Sequence, residues 1–412
     1  MVEVKEEAER VPRALLVGEP GNDLQELKGL VLTLGMDIVQ RLTLNRLEVQ
    51  PQYGMGSGKA QEINELAHSI KADCIIFDFN IEPRKQRNWE ELTGLSCFDR
   101  QEVIIRIFAS RAQTKEASLQ VELARLQYSL PRLQHLKNSY NRQRGGAVGN
   151  RGSGETQLEL DQRQIREKIA SIKHDLAEVE LNRETQRKQR DKQPSCALVG
   201  YTNAGKSSLL NALTGADVFV ENKLFATLDP ITRKLPLNDS AGVLITDTVG
   251  FISNLPHHLV DAFKSTLEEA CDADLLLLVL DASDENAMFQ YETVCDVLDD
   301  IGASDNPRLI LLNKIDKGDE KGTLTALRHK FPDAICVSAK DQTGFLELKD
   351  KIYEMIYGDI AEYIIPITQT ILINELRKNG CIQREEWLDD GVHITARATG
   401  RLLALASPYL IH

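Results

Sequence analysis

Short apolar runs separated by polar stretches fill the first hundred residues. "ALLVG" at 14–18 and "DCIIFDF" at 73–79 have the composition of buried strands. Between them lie an amphipathic stretch at 22–34, the alternating "DIVQRLTL" at 37–44 and a helical stretch near 58–70. Strand, helix, strand, helix, strand predicts a small α/β domain with parallel pairing over residues 1–112. The period then changes. Leu119, Leu123, Leu126, Leu130 and Leu133 step by four and three, while Leu158, Ile165, Ile172 and Val179 repeat every seven with Ile169 and Leu176 between them. Two such stripes joined by a glycine-rich loop predict an antiparallel helical hairpin over 113–193, stopped by Pro194. The polar run 182–193 is then the exposed end of the second helix or a linker. From Ser195 strands and helices alternate until about 358. The remainder reads strand (361–367), helix (369–378), strand (381–387), turn and strand (392–397), a small α+β end domain over 359–412. The predicted class is therefore α/β and multidomain.

The third segment, 194–358, carries most of the chemistry. "GYTNAGKSS" at 200–208 follows the strand "CALVG" and opens a helix, which is G-x-x-x-x-G-K-S in its required context. Glycines let backbone N–H groups turn inward around phosphate oxygens, and the helix N-terminus adds partial positive charge. Lys206 is predicted to reach the β- and γ-phosphates and the Ser207 hydroxyl to ligate Mg2+. Behind it, "LITDTVG" (244–250) ends in D-x-x-G: Asp247 would hold the metal through water, and the Gly250 N–H would sense the γ-phosphate. "LILLNKID" (309–316) ends in N-K-x-D, where the Asp316 carboxylate can accept from guanine N1–H and N2–H2, donors that adenine lacks at those positions. "CVSAK" (336–340) closes the pocket from the other side. Four pieces in order, each at the C-terminal end of a predicted strand, predict a GTP site, because ligands of open α/β sheets bind there.

The expected nucleotide contacts are Gly200, Tyr201, Thr202, Asn203, Ala204, Gly205, Lys206, Ser207 and Ser208 of the phosphate loop. Phe225 and Thr227 follow, then Asp247, Gly250, Asn313, Lys314, Asp316, Ser338, Ala339 and Lys340. Lys206, Thr227 and Gly250 are the expected catalytic groups, and Ser207, Thr227 and Asp247 the Mg2+ ligands. Thr227 is the choice for a switch threonine in "ENKLFATLDPITRKL" (221–235), with Thr232 as its rival. Phe251 stands directly after D-x-x-G, where many such enzymes place a water-orienting glutamine. It can neither donate nor accept, so slow intrinsic turnover and help from a partner or a monovalent cation are expected. Asn203 is either a K+ ligand or a cap of its own loop. A second glycine-rich stretch, "GMGSGK" at 54–59, has Tyr53 at the first-glycine position and Ala60 at the Ser/Thr position. It is expected to be a helix start.

Charge adds one feature. The formal net charge is −13, yet Leu123–Gly154 contains no Asp or Glu. Its end, "NRQRGGAVGNRGSG" at 141–154, holds three arginines and five glycines in fourteen residues. Arg142, Arg144 and Arg151 can pair phosphates bidentately or stack on unpaired bases, so they are the expected RNA contacts. The longest aliphatic run, "LLLLVL" at 275–280, is too short to span a membrane, and the charged start "MVEVKEEAER" has no apolar stretch, so no secretory signal is expected. Seven cysteines without metal-ligand spacing read as free thiols in a reducing compartment, so a cytoplasmic location is expected.

"GYTNAGKSSLLNAL", "KLFATLDPITR", "DTVGFI", "NKID" and "GGAVGNRGSGETQLELDQR" together resemble the HflX family of ribosome-associated GTPases. The resemblance covers the whole chain: N-terminal α/β domain, helical hairpin, GTP-binding domain and short end domain. Ser208 and Ile231 depart from it, since threonine is expected at both. It implies a GTP hydrolase, yielding GDP and phosphate, that binds the large ribosomal subunit and its rRNA when loaded with GTP. Splitting or rescue of stalled ribosomes under stress would follow, acting as a monomer. A switch in large-subunit assembly, or one acting on a protein effector without RNA, is the alternative.

Overall fold

The computed structural model describes residues 10–46, 50–143, 157–189, 193–215, 224–225, 228–238, 241–253, 269–379, 381–398 and 400–411. The chain divides into two compact units, Met1–Lys188 with Glu221–Asp229 and Asn254–Ser265, and Gln189–Val220 with Pro230–Ser253 and Thr266–His412.

In the first unit, β1 (Arg13–Gly18), β2 (Asp37–Thr43), β3 (Cys74–Phe77) and β4 (Ser96–Asp99) form a parallel sheet in the order β2-β1-β3-β4. Helices α1 (Gln25–Thr33), α2 (Ser57–Ser69) and α3 (Pro83–Thr93) lie between the strands, and α4 (Arg100–Arg111) follows β4. Both β1 and β3 are buried almost throughout, as central parallel strands must be. The sequence pattern ended this sheet at β3. It missed α3, β4 and α4, because α3 presents few apolar groups among "PRKQRNWEELT" and β4 is four residues long. One residue fastens α3. Trp89 is fully buried, its ring lies 5.4 Å from Tyr53 and 5.1 Å from Phe77, and its Nε1 donates to the Tyr53 carbonyl at 3.0 Å. The glycine-rich stretch near 54–59 is thereby spent on packing and on starting α2, whose N-cap is Gly56.

Two long helices follow, α5 (Lys115–Gln143) and α6 (Gln157–Gln189), the latter including most of the polar run after 182. Among the described residues of α5, Ala117, Gln120, Val121, Leu123, Ala124 and Tyr128 are buried, and α5 packs on α3 and α4. Of the leucine stripe expected as the hairpin seam, only Leu123 is fully buried. Tyr128 Oη donates to Asp99 Oδ1 at 2.9 Å, and Arg132 donates to Asp99 Oδ2 at 3.0 Å and to Gln86 Oε1 at 2.9 Å. The Arg132 guanidinium also lies 3.3 Å from the Tyr128 ring centroid. The two long helices are linked by Lys168 and Glu122 at 2.6 Å.

Leu224, Phe225, Leu228 and Asp229 belong to this same unit. Phe225 is buried edge-to-face against Phe108, with centroids 4.6 Å apart. The Leu224 N–H donates to Thr33 Oγ1 at 3.2 Å, and Asp229 accepts from the N–H groups of Gln113 at 3.2 Å and Thr114 at 3.4 Å and from the Thr114 hydroxyl. Asp229 thus satisfies backbone donors just ahead of α5, where a helix leaves them unpaired.

The second unit is built on β5 (Ser195–Gly200), β6 (Ile231–Pro236), β7 (Gly242–Asp247), β8 (Leu275–Asp281), β9 (Arg308–Asn313) and β10 (Ile335–Cys336), in the order β10-β9-β8-β5-β7-β6. Only the edge strand β6 runs antiparallel to its neighbour. Helix α7 (Lys206–Thr214) follows β5, and helices 287–300, 323–330 and 345–357 complete the layers. Its end domain is an antiparallel sheet of β11 (Ile360–Ile365), β12 (Cys381–Leu388) and β13 (Gly391–Arg397), ordered β11-β13-β12, with helix 370–379. A final helix, 400–406, was not expected, since "GRLLALA" shows no polar face by which to recognise it. Arg397 ties the end domain to the helix before it, donating to the Gly358 carbonyl at 2.6 Å and lying 4.7 Å from the Tyr353 ring centroid. No helix among the described residues is long and apolar enough to cross a membrane.

Candidate nucleotide site

The strands of the second sheet deliver Gly200, Asp247, Asp281 and Asn313 at the C-terminal ends of β5, β7, β8 and β9. Between β5 and α7 the chain turns tightly, with Asn203 at φ 61° and Gly205 at φ 97°. A Cβ on Gly205 would stand 2.3 Å from Asn313 Nδ2, so only glycine lets the loop close on β9. Lys206 then opens α7, 6% exposed, with Nζ donating to the carbonyls of Gly200 at 3.0 Å and Tyr201 at 2.9 Å. Burial lowers its pKa from 10.5 to about 8; the Asp247 charge opposes that shift and the Lys314 charge reinforces it.

One residue on, the Ser207 hydroxyl donates to Asp247 Oδ2 at 2.5 Å, and Asp247 is fully buried. A hydroxyl and a carboxylate meeting beside the phosphate loop form a hard oxygen pair suited to Mg2+, which keeps waters and phosphate oxygens as its other ligands. No group of three or more His, Cys, Asp or Glu among the described residues could hold a metal by itself. Thr227 lies outside the described residues. Its rival Thr232 lies on β6, where its hydroxyl meets that of Thr246 at 2.9 Å.

Gly250 packs against the same loop: a Cβ there would lie 2.9 Å from Thr202 Cα and 3.0 Å from Lys206 Nζ. Phe251 is 2% exposed. Its N–H donates to the Gly200 carbonyl at 3.1 Å and its carbonyl accepts from the Thr202 N–H at 2.7 Å. The Ser253 N–H donates to Tyr201 Oη at 2.7 Å. The position after D-x-x-G is therefore committed to the core and to strand-like bonding with the phosphate loop.

The base-reading pieces converge on that loop too. Asn313, 1% exposed, donates to the Ala204 carbonyl at 2.9 Å and accepts from the Ala339 N–H at 3.3 Å. Lys314 Nζ donates to the Asn203 carbonyl at 2.6 Å and to Asp281 Oδ2 at 2.8 Å. Ser338 Oγ donates to Asp316 Oδ1 at 2.9 Å, and Lys340 Nζ stands 4.0 Å from Asp316 Oδ2. Ser208 lies in the first turn of α7 and is half-buried.

Four further expected residues are Phe225, Arg142, Arg144 and Arg151. Phe225, expected at the nucleotide, has its ring buried against Phe108 in the first unit. Arg142 lies in the last turn of α5 and nothing is described of its side chain, while Arg144 and Arg151 lie outside the described residues. Conversely, sequence reasoning missed Asp281. Burial by itself would raise its carboxyl pKa, but Lys314 and the Ser283 hydrogen bonds outweigh burial and hold it below the ordinary value. Its only signal in the sequence is a lone acid closing the run "LLLLVL".

A mostly parallel sheet with a lysine-bearing phosphate loop, a Ser–Asp oxygen pair and an N-K-x-D/S-A-K pocket defines a P-loop GTPase. Residues 21–109, 111–190 and 195–314 match family models described as "GTP-binding GTPase N-terminal", "GTP-binding GTPase Middle Region" and "50S ribosome-binding GTPase". The chain is 43% identical over 420 residues to GTPase HflX of Akkermansia muciniphila, covering 96% of each. It is 40% identical over 374 residues to GTPase HflX of Escherichia coli K12, covering 90% of this chain and 88% of the relative. A GTP-binding protein of Sulfolobus solfataricus, solved with GDP, is 26% identical with a TM-score of 0.46, covering 84% of this chain and 98% of its own. The chain belongs to the HflX family of GTPases, and it is a GTP hydrolase.

Proposed function

We propose that GTP loading docks this protein on the large ribosomal subunit, and that docking splits or rescues stalled ribosomes under stress. The observation that carries the reading is the match of residues 195–314 to a ribosome-binding GTPase model, in a chain similar to HflX proteins over nearly its full length. The acid-free stretch from Leu123 to Gly154 supports RNA as the surface met, with Arg142, Arg144 and Arg151 as the phosphate or base contacts. In this reading segments 1–112 and 113–193 serve docking, 194–358 binds and hydrolyses GTP, and 359–412 completes the body. A monomer in the cytoplasm goes with it.

Residues 200–208, 313–316 and 338–340 would hold the nucleotide, with Asp316 taking the guanine edge. Ser207, Asp247 and Thr227 would hold Mg2+, which when bound neutralises charge on the phosphates. Lys206 turns from the Gly200 and Tyr201 carbonyls to the phosphates, and the Gly250 N–H faces the terminal one. Since phosphoryl transfer needs positioning and charge stabilisation rather than covalent chemistry, these residues suffice for binding. They include no polar side chain at position 251 to orient water, which supports slow basal turnover raised by the ribosome. The Asn203 side chain is left with both roles, loop cap or K+ ligand, and a rate advantage in K+ over Na+ would favour the cation reading.

Sedimentation of ribosomes with purified protein and a non-hydrolysable GTP analogue tests the proposal. Co-migration with large subunits and loss of the whole-ribosome peak are expected. Co-migration only with immature large particles would point to assembly, and no co-migration at all would refute ribosome docking.

A further inference from the structure

Strand β8 ends on Asp281, 8% exposed, a carboxylate outside every role assigned so far. Its Oδ1 accepts from the Ser283 N–H at 3.0 Å and from Ser283 Oγ at 2.5 Å, which is ordinary capping of the turn that follows. Its Oδ2 does something different. It accepts from Lys314 Nζ at 2.8 Å, and the same ammonium donates to the Asn203 carbonyl at 2.6 Å. The lysine therefore bridges the end of β8 and the phosphate loop. Both residues joined by its second bond have left-handed backbones, Asn203 at φ 61° and Lys314 at φ 65°, a conformation side chains disfavour unless neighbours hold it.

We infer that Asp281 is a positioning residue for guanine nucleotides: it fixes the Lys314 ammonium against the Asn203 carbonyl and so presets the phosphate loop before nucleotide arrives. The inference rests on the reading of residues 200–208 and 313–316 as the nucleotide site. Asp281 acts through Lys314, so it serves GTP and GDP equally and leaves guanine selection to Asp316.

Asp281→Asn keeps the volume and an acceptor for Ser283 while removing the charge. Release rates of fluorescent GDP and of a non-hydrolysable GTP analogue should both rise by about tenfold, the scale of a charge-assisted hydrogen bond. The single-turnover rate of bound GTP and the preference for GTP over xanthosine triphosphate should stay native. A residue that only capped the turn would leave release native. Lys314→Met, which leaves the Ser283 contacts intact, should reproduce the faster release, and adding Asp281→Asn to it should change nothing further. Native release in a folded Asp281→Asn protein, or additive effects in the double variant, would overturn the inference. Should Asp281→Asn not fold, native release in Lys314→Met overturns it just as well. A native protein that binds neither nucleotide would defeat the site reading itself, a separate outcome.

Discussion

Lys206→Met should stabilise the nucleotide-free protein at neutral pH while abolishing its response to GTP. The Lys206 ammonium is 6% exposed, and confinement lowers its pKa from 10.5 to about 8. At 1.36 kcal/mol for each pH unit, keeping it charged costs the empty site about 3 kcal/mol near pH 7. Methionine has similar length and carries no charge, but it leaves the Gly200 and Tyr201 carbonyls without the ammonium, a loss of about 2 kcal/mol. A net gain of about 1 kcal/mol remains, or about 2–4 °C in the melting of a domain this size. The sign should reverse with pH. Because the folded pKa lies below the unfolded one, the unfolded chain binds the proton more tightly between about 8 and 10.5. Native stability therefore rises through that window as the lysine sheds its charge, and at pH 10 the penalty has fallen to about 1 kcal/mol. There the lost carbonyl contacts dominate and the variant becomes the weaker protein. The assay is thermal unfolding of nucleotide-free native and variant protein at pH 7.5 and 10, following the transition that GTP shifts in the native chain. A Lys206→Met protein clearly less stable than native at pH 7.5 would refute the reasoning.

Asp316→Asn should weaken GTP by several orders of magnitude and favour xanthosine triphosphate, since a site built to bond a group rejects analogues lacking it by about 10⁴-fold or more; equal affinity of the native protein for ATP and GTP would contradict the assignment. Phe225→Ala should cost the first unit about 3–5 kcal/mol by emptying the site against Phe108, read as a lower melting temperature and faster backbone exchange in α4. Arg142, Arg144 and Arg151 changed together to alanine should flatten the log–log salt dependence of ribosome binding by about 0.7–0.9 for each lost phosphate contact. GTP affinity of the free protein should not change, and a native slope would remove the loop from the RNA surface.

The nucleotide site was legible because phosphate and guanine chemistry demand particular residue types at particular spacings, each tied to a strand end. Lys206, Ser207, Asp247, Asn313 and Asp316 could be placed for that reason. Asp281 could not, because a single carboxylate has no spacing partner and its function depends on where Lys314 turns. The packing of Phe225 was hidden for the opposite reason. Its position just ahead of Thr227 suggested the nucleotide, but the ring is committed to Phe108, a long-range contact that no local pattern encodes. The same limit applies to α5. A leucine period shows that a helix has an apolar face, but not that a second face, bearing Gln120 and Tyr128, is buried as well, with Tyr128 bonded to Asp99 and Glu102.

That second face changes how the acid-free stretch should be weighed. Counted from the sequence, Arg125, Arg132 and Lys137 spread positive charge along α5, and a long basic helix could itself lie on RNA. Arg132 is not available for that. Its guanidinium is fastened to Asp99, whose side chain is 2% exposed, and is stacked on Tyr128. Arg125 is 72% exposed, though Glu122 lies 3.9 Å from it. The proposed phosphate contacts are Arg142, Arg144 and Arg151, where glycines rather than acids surround them in the sequence. Arg132→Ala is consequently the discriminating control. It leaves the buried Asp99 without its cation, so the first unit should lose roughly 3 kcal/mol, the usual scale for breaking such a pair. Its ribosome binding should keep the native salt slope, measured below the variant's melting temperature. A slope flattened as much by Arg132→Ala as by one of the loop arginines would mean that RNA lies along the helix rather than at its end.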